Sequence, residues 1–96
     1  MTNTPNYGII HALKIEPNYF GDIIDGKKAF EIRENDRNFR VGDYLALNEL
    51  DDSRTGYSGR SVLTRITYIV DDERFCKKGF VVMGFSVCEA KERAEE

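Results

Sequence analysis

The sequence predicts an α+β chain that is mostly β, a small mixed β-barrel of about five strands with one short helix after the first strand. Three observations lead there. Apolar and β-branched residues fall into short stretches separated by Gly, Asp and Asn clusters. Only Pro17–Asp25 carries apolar residues at helical spacing. The later strands follow one another without intervening helices, which disfavours a parallel sheet.

Residues 1–6 read as a loose leader and Tyr7–Ile15 as the first strand, on its β-branched and apolar content. Pro17 sits where a helix can start without its missing N–H, Tyr19, Phe20, Ile23 and Ile24 share a helical face, and Gly26 caps the end. Lys28–Arg33 alternates, so Phe30 and Ile32 are expected on the buried face and Glu31 and Arg33 on a polar one. Asn35–Arg40 and Val41–Asp43 are turns. Tyr44–Leu50 is the third strand, Asp51–Gly59 a polar loop, and Arg60–Val70 a long β-branched strand. Asp71–Gly79 is a charged connection, Phe80–Cys88 a largely buried last strand, and residues 89–96 a charged tail with a helical turn or frayed end over Ala90–Glu96.

A chain of 96 residues suits one domain spanning 1–96. With 41% hydrophobic and 32% charged residues it has the composition of a soluble globular protein. Its net charge of −3 excludes a protein that coats nucleic acid by bulk electrostatics, so a polyanion site must be local. The window Lys27–Arg40 supplies such a patch, with five cations against three acids. Cys76 and Cys88 fit no CxxC pattern and read as reduced thiols of a cytoplasmic protein, with no secretory signal ahead of them. His11 is the only histidine, so no metal and no cofactor is expected. No apolar stretch is long enough for a membrane span.

The segment Gly26–Arg33 is the most informative. It brings Lys28, Glu31 and Arg33 close together after the helix, where two cations can hold an anionic group and the acid can accept from an exocyclic amine. The plain alternative is a solvated Lys–Glu–Arg ladder. Tyr57 can stack on a base from its loop with Arg60 meeting a phosphate, or fold back onto the core. Asp36 and Arg37 are either ligand contacts or a turn-stabilising pair, and Lys14 either faces the cleft or ends a strand in solvent. His11, within an apolar strand, reads as a half-buried hydrogen-bonded histidine, with acid–base work as the sharper alternative.

The pattern Gly26-x-Lys28-x-x-Glu31-x-Arg33 resembles the signature of the ASCH domain, the activating-signal-cointegrator homology fold. Further stretches resemble a prokaryotic and phage subgroup of it: His11–Ile15, Pro17–Phe20, Phe30–Arg37, Val41–Asp43, Tyr57–Arg60 and Ile66–Ile69. The resemblance implies a PUA-like barrel, a cleft lined by Lys28, Glu31 and Arg33, and RNA-related binding. One branch of that superfamily hydrolyses N4-acylated cytidine with a lysine, a threonine three residues later and a downstream glutamate. Here Lys28 is present but Glu31 stands at the threonine position, so Lys28 and Glu31 are catalytic candidates only if the chain is an enzyme.

The leading expectation is therefore a module binding RNA, a nucleotide or a nucleoside through Lys28, Glu31 and Arg33, with Tyr57, Arg60, Arg37 and Lys14 around them. A small hydrolase of modified nucleosides or an endoribonuclease is the second, and a protein-binding adaptor the third. The Phe80–Cys88 strand could pair across a weak homodimer.

Overall fold

A computed structural model describes residues 8–92 of the chain. The elements run β1 (Ile10–Ile15), α1 (Pro17–Ile24), β2 (Phe30–Glu34), β3 (Tyr44–Leu50), β4 (Tyr57–Val70) and β5 (Phe80–Lys91). They form one mixed five-stranded sheet in the order β1-β3-β4-β5-β2. Only the β1–β3 pair is parallel. The sheet curls into a half-barrel with β1 and β2 as its two edges, and one short helix follows the first strand, as the sequence predicts.

Alternation along each strand sends one set of side chains inward. Leu13 and Ile15 of β1, Leu45 and Leu47 of β3, Val62 and Ile66 of β4, and Val81, Met83 and Phe85 of β5 form the core. Helix α1 covers it with Phe20 and Ile23. Pro17 opens the helix, and Gly26, at φ +78°, closes it. The Gly26 amide donates to Ile23 O at 3.0 Å and the Lys27 amide to Asp22 O at 2.8 Å, the paired bonds of a Schellman turn. Only a residue that tolerates a left-handed backbone suits position 26.

Several expected boundaries move. β1 begins at Ile10 because Gly8 and Ile9 are tied to the turn before β3: the Ile9 amide donates to Asp43 Oδ1 at 3.1 Å. A Cβ on Gly8 would collide with Gly42 and Asp43, so the chain passes too close there for a side chain. Tyr7 and the leader lie outside the described residues. β2 starts at Phe30 because the Lys27 and Lys28 amides still bond Asp22 of the helix end. Tyr57, Ser58 and Gly59 belong to β4 and not to the preceding loop. β5 runs on to Lys91, where Glu89, Ala90 and Lys91 pair with Leu63, Val62 and Ser61, so the expected helical turn or frayed end is strand as far as Lys91. The residues Ser86–Lys91 are exposed, so only the first half of β5 is buried in alternation. β5 is also not an edge along Phe80–Gly84, which pair with β2.

The largest correction concerns β2. Glu31 is buried at 6% exposure, while Phe30 and Ile32 are 42% and 54% exposed, the reverse of the expected facing. Register explains it: Glu31 lies opposite buried Met83, whereas Phe30 and Ile32 lie opposite Gly84 and Val82 on the outer face. The apolar side chains pack on that outer surface, and the acid enters the core side because two cations accompany it.

No helix among the described residues is long and apolar enough to cross a membrane.

Candidate ligand site between the helix and the edge strand

The Schellman turn delivers Lys28 to the mouth of β2, three residues before Glu31. Lys28 Nζ donates to Glu31 Oε1 at 3.0 Å and to the Phe30 carbonyl at 2.6 Å. Arg33 Nε donates to the other oxygen, Glu31 Oε2, at 2.7 Å. One buried carboxylate thus holds a cation on each side, at side-chain exposures of 15% for Lys28 and 29% for Arg33. Enclosure makes such a pair geometrically fixed, unlike an open surface ladder. The sequence-predicted trio is brought together.

Two open hollows meet over this carboxylate. One, of about 310 Å³, is lined by Tyr19, Lys28, Phe30, Glu31 and Ile32. The other, of about 330 Å³, lies on the Arg33 side and reaches Lys14, Glu16 and Leu50. In the first, the Lys28 ammonium stands 5.4 Å from the centre of the Tyr19 ring and 4.8 Å from that of Phe30. Both rings are partly exposed, so the hollow combines a cation, an acid and two aromatic walls. Tyr19 and Phe30 were not expected here. Tyr19 shares the helical spacing of the core residues and Phe30 the alternation of β2, so each passes for packing until the facing of its element is known.

The other expected ligand residues divide. Lys14 is exposed and lines the second hollow, and its carbonyl accepts a bond from Arg33 Nη2. Arg37 Nη1 donates to the Ala12 carbonyl at 2.9 Å, and its Nε is 4.0 Å from Asp36, so its guanidinium spans to β1 and keeps the turn pair. Tyr57 is 58% exposed at the start of β4 and lines neither hollow. Arg60 is committed elsewhere. Its Nε and Nη2 donate to Glu49 Oε1 and Oε2, both at 2.7 Å, and Ser58 Oγ donates to Glu49 Oε1 at 2.7 Å. Glu49 is 2% exposed, and burial pushes its carboxyl up, but the Arg60 and Ser58 bonds and the arginine charge outweigh this and hold it below the usual range. Tyr57 and Arg60 therefore lie outside the two hollows that the trio lines.

His11 is buried, with Nε2 2.8 Å from Asp43 Oδ2 and its ring edge-on to Phe39 at 4.7 Å. Burial raises the Asp43 carboxyl, yet the bonds from His11 and from the Ile9 and Arg40 amides bring it below its usual range. This pair pins β1 to the turn before β3 and lines neither hollow. No serine or threonine lines the two hollows either: Thr64 donates to Leu45 O in the core and Thr67 to Gly84 O. Alternation alone could have found Glu49, because it shares a face with Leu45 and Leu47 and so requires a buried partner. No group of three or more metal-ligating side chains occurs among the described residues.

Residues 10–85 match the family described as a domain of unknown function, DUF3850. The chain is also similar to an uncharacterised 12.9 kDa protein in the GpA 3′ region of Escherichia phage P2, with 40% identity over 62 residues. That match covers 65% of this chain and 55% of the phage protein, so the chain spans little more than half of its relative.

Proposed function

The chain belongs to the DUF3850 family, and on that premise we propose that it binds RNA or a nucleotide in the hollow between α1 and β2, as an ASCH-type member of the PUA-like folds. The signature spacing of Gly26, Lys28, Glu31 and Arg33 supports the ASCH reading, as does a half-barrel with its helix after the first strand. The observation that carries the binding reading is Lys28, whose ammonium stands between the Tyr19 and Phe30 rings over an open cavity. A flat base suits the aromatic walls, and a phosphate suits the cation. Glu31 fixes Lys28 and Arg33 in place, and lone pairs left on its oxygens can accept from a base amine. The net charge of −3 confines any polyanion binding to a local patch.

The test is NMR shift mapping of the ¹⁵N-labelled chain against the four ribonucleoside monophosphates. Shifts are expected at Tyr19 and across residues 28–33, with Lys28→Ala and Tyr19→Ala weakening them. Titrations that leave those residues unmoved would sink the proposal.

A further inference from the structure

We infer that the ligand is a single-stranded nucleic acid that continues out of the hollow onto the outer face of the sheet, where Phe30 and Tyr68 stack its bases across Gly84. This inference rests on the reading proposed above. Register sets Phe30 of β2 and Tyr68 of β4 on either side of Gly84 of β5. The rings are 42% and 68% exposed. Two strand spacings separate their backbones, roughly 10 Å, with only glycine backbone between. A Cβ at Gly84 would meet no atom closer than 3.9 Å, so packing within the chain does not demand a glycine there. What the missing side chain leaves is an open floor between two aromatic faces, a surface on which consecutive bases can lie. Phe30 joins the two sites, since its ring also lies against the Lys28 ammonium.

Two cations flank the aromatic row on one side. On one side of the aromatic row, Arg65 of β4 lies opposite Ser86 of β5. Lys28 occupies the β2 end of that same side, just before Ala29, whose carbonyl accepts the Phe85 amide. On the other side the charges are mixed: Glu34 lies opposite Phe80, whose ring carries the Lys77 ammonium at 5.3 Å, and Asp72 is paired with Arg74 at 2.7 Å. A strand leaving the hollow past Lys28 meets Arg65 next along this side, so a polyanion finds cations beside the aromatic row, which an apolar partner would not use.

Fluorescence anisotropy of the full chain with a labelled oligouridylate of about eight nucleotides, beside calorimetry with UMP, tests this. The oligomer is expected to bind at least about tenfold more tightly than UMP, one stacked base being worth that much. Tyr68→Ala and, separately, Gly84→Val should each remove that gain and leave UMP binding unchanged, with circular dichroism confirming the fold. An oligomer no tighter than UMP, or a gain indifferent to both variants, overturns the inference while leaving the hollow as a nucleotide site. Failure of UMP and oligomer alike overturns both readings. A dimer in sedimentation that Tyr68→Ala dissolves, with no oligomer binding, assigns the face to a second copy and overturns it too.

Discussion

Arg33 Nη2 donates to the main-chain carbonyl of Lys14 across the open side of the half-barrel. Lys14 belongs to β1, whose odd-numbered residues bond β3, as Ile9 O does with the Tyr44 amide. Its even-numbered carbonyls therefore face the gap toward β2. Arg37 meets a second of them, the Ala12 carbonyl, at 2.9 Å. Two guanidiniums thus satisfy edge groups that no strand pairs, and they bring the edges together without a backbone ladder. Free strand edges invite pairing with other chains, and arginines laid along one block it.

Arg33→Lys should loosen this seam. A lysine presents one point charge and cannot hold the Glu31 carboxylate and the Lys14 carbonyl through a rigid fork. Bonds with one charged partner are worth about 1.5–3 kcal/mol, and the 29% exposure of Arg33 reduces the net loss to about 1 kcal/mol. The melting temperature should fall by about 4–8 °C. Hydrogen exchange should quicken at the β1 amides that bond β3 and stay unchanged in β4. An unaltered melt with unaltered β1 exchange would show that the seam carries no stability.

The reversed facing of β2 gives a second comparison. Ile32→Thr keeps a β-branched residue on an exposed position and should change stability by less than about 0.5 kcal/mol. Glu31→Ala strips the shared partner from Lys28 and Arg33 and should destabilise by about 1–2 kcal/mol, held to that by the water that reaches both cations. Urea unfolding of both variants decides it. A large loss for Ile32→Thr with none for Glu31→Ala would return the strand to the facing that alternation first suggests.

That alternation was legible, and its phase was not. FEIRE reads as a strand at once, but period-2 spacing is silent about which face is inside when both faces offer a plausible environment. The deciding facts, Met83 opposite Glu31 and the Lys28 and Arg33 contacts, are tertiary. The helix, its glycine cap and β3 were readable because Pro17, Gly26 and the Leu45–Leu47 repeat act locally. The start of β4 was hidden because Tyr57–Gly59 carries turn residues that pairing with β3 draws into a strand, Leu50 lying opposite Tyr57. The site trio was readable from its close spacing. Its aromatic walls were not, since Tyr19 comes from a different element.

Acid should expose two of the three buried carboxylates. Glu49 and Asp43 both titrate below their ordinary values, 4.5 and 3.8. For each, burial opposes the shift, and hydrogen bonds from Arg60 and Ser58, or from His11 and two amides, overcome it. A carboxyl depressed in the folded state stabilises above its unfolded value and loses that contribution as pH falls through the folded one. Stability should therefore drop below about pH 4.5. Glu49→Gln should be less stable at neutral pH and show a shallower drop. Thermal melts across that range test the sign: a Glu49→Gln curve parallel to the parent's would remove Glu49 as a source of the acid sensitivity.

Arg60 and Lys28 should separate stability from binding. Both are cations beside a buried acid and an aromatic ring, Arg60 lying 5.1 Å from the centre of Phe20. Arg60 gives its Nε–Nη2 edge to Glu49, so Arg60→Ala leaves a carboxylate at 2% exposure without its counter-ion. Breaking a buried pair costs about 3–5 kcal/mol, and the 43% exposure of Arg60 lowers the expectation to about 2 kcal/mol. Nucleotide affinity should hold wherever the variant remains folded, because Arg60 lines neither hollow of the site. Lys28→Ala should do the opposite, with a small change in the melt and a clear loss of affinity. Its plot of log affinity against log salt should also be shallower, by about 0.7 for one lost contact to a single strand. Measuring both variants by urea unfolding and by salt-dependent titration puts each cation in one column. If Arg60→Ala flattened the salt dependence and Lys28→Ala did not, the phosphate would lie at β4, and the hollow beside α1 would have no claim on the ligand.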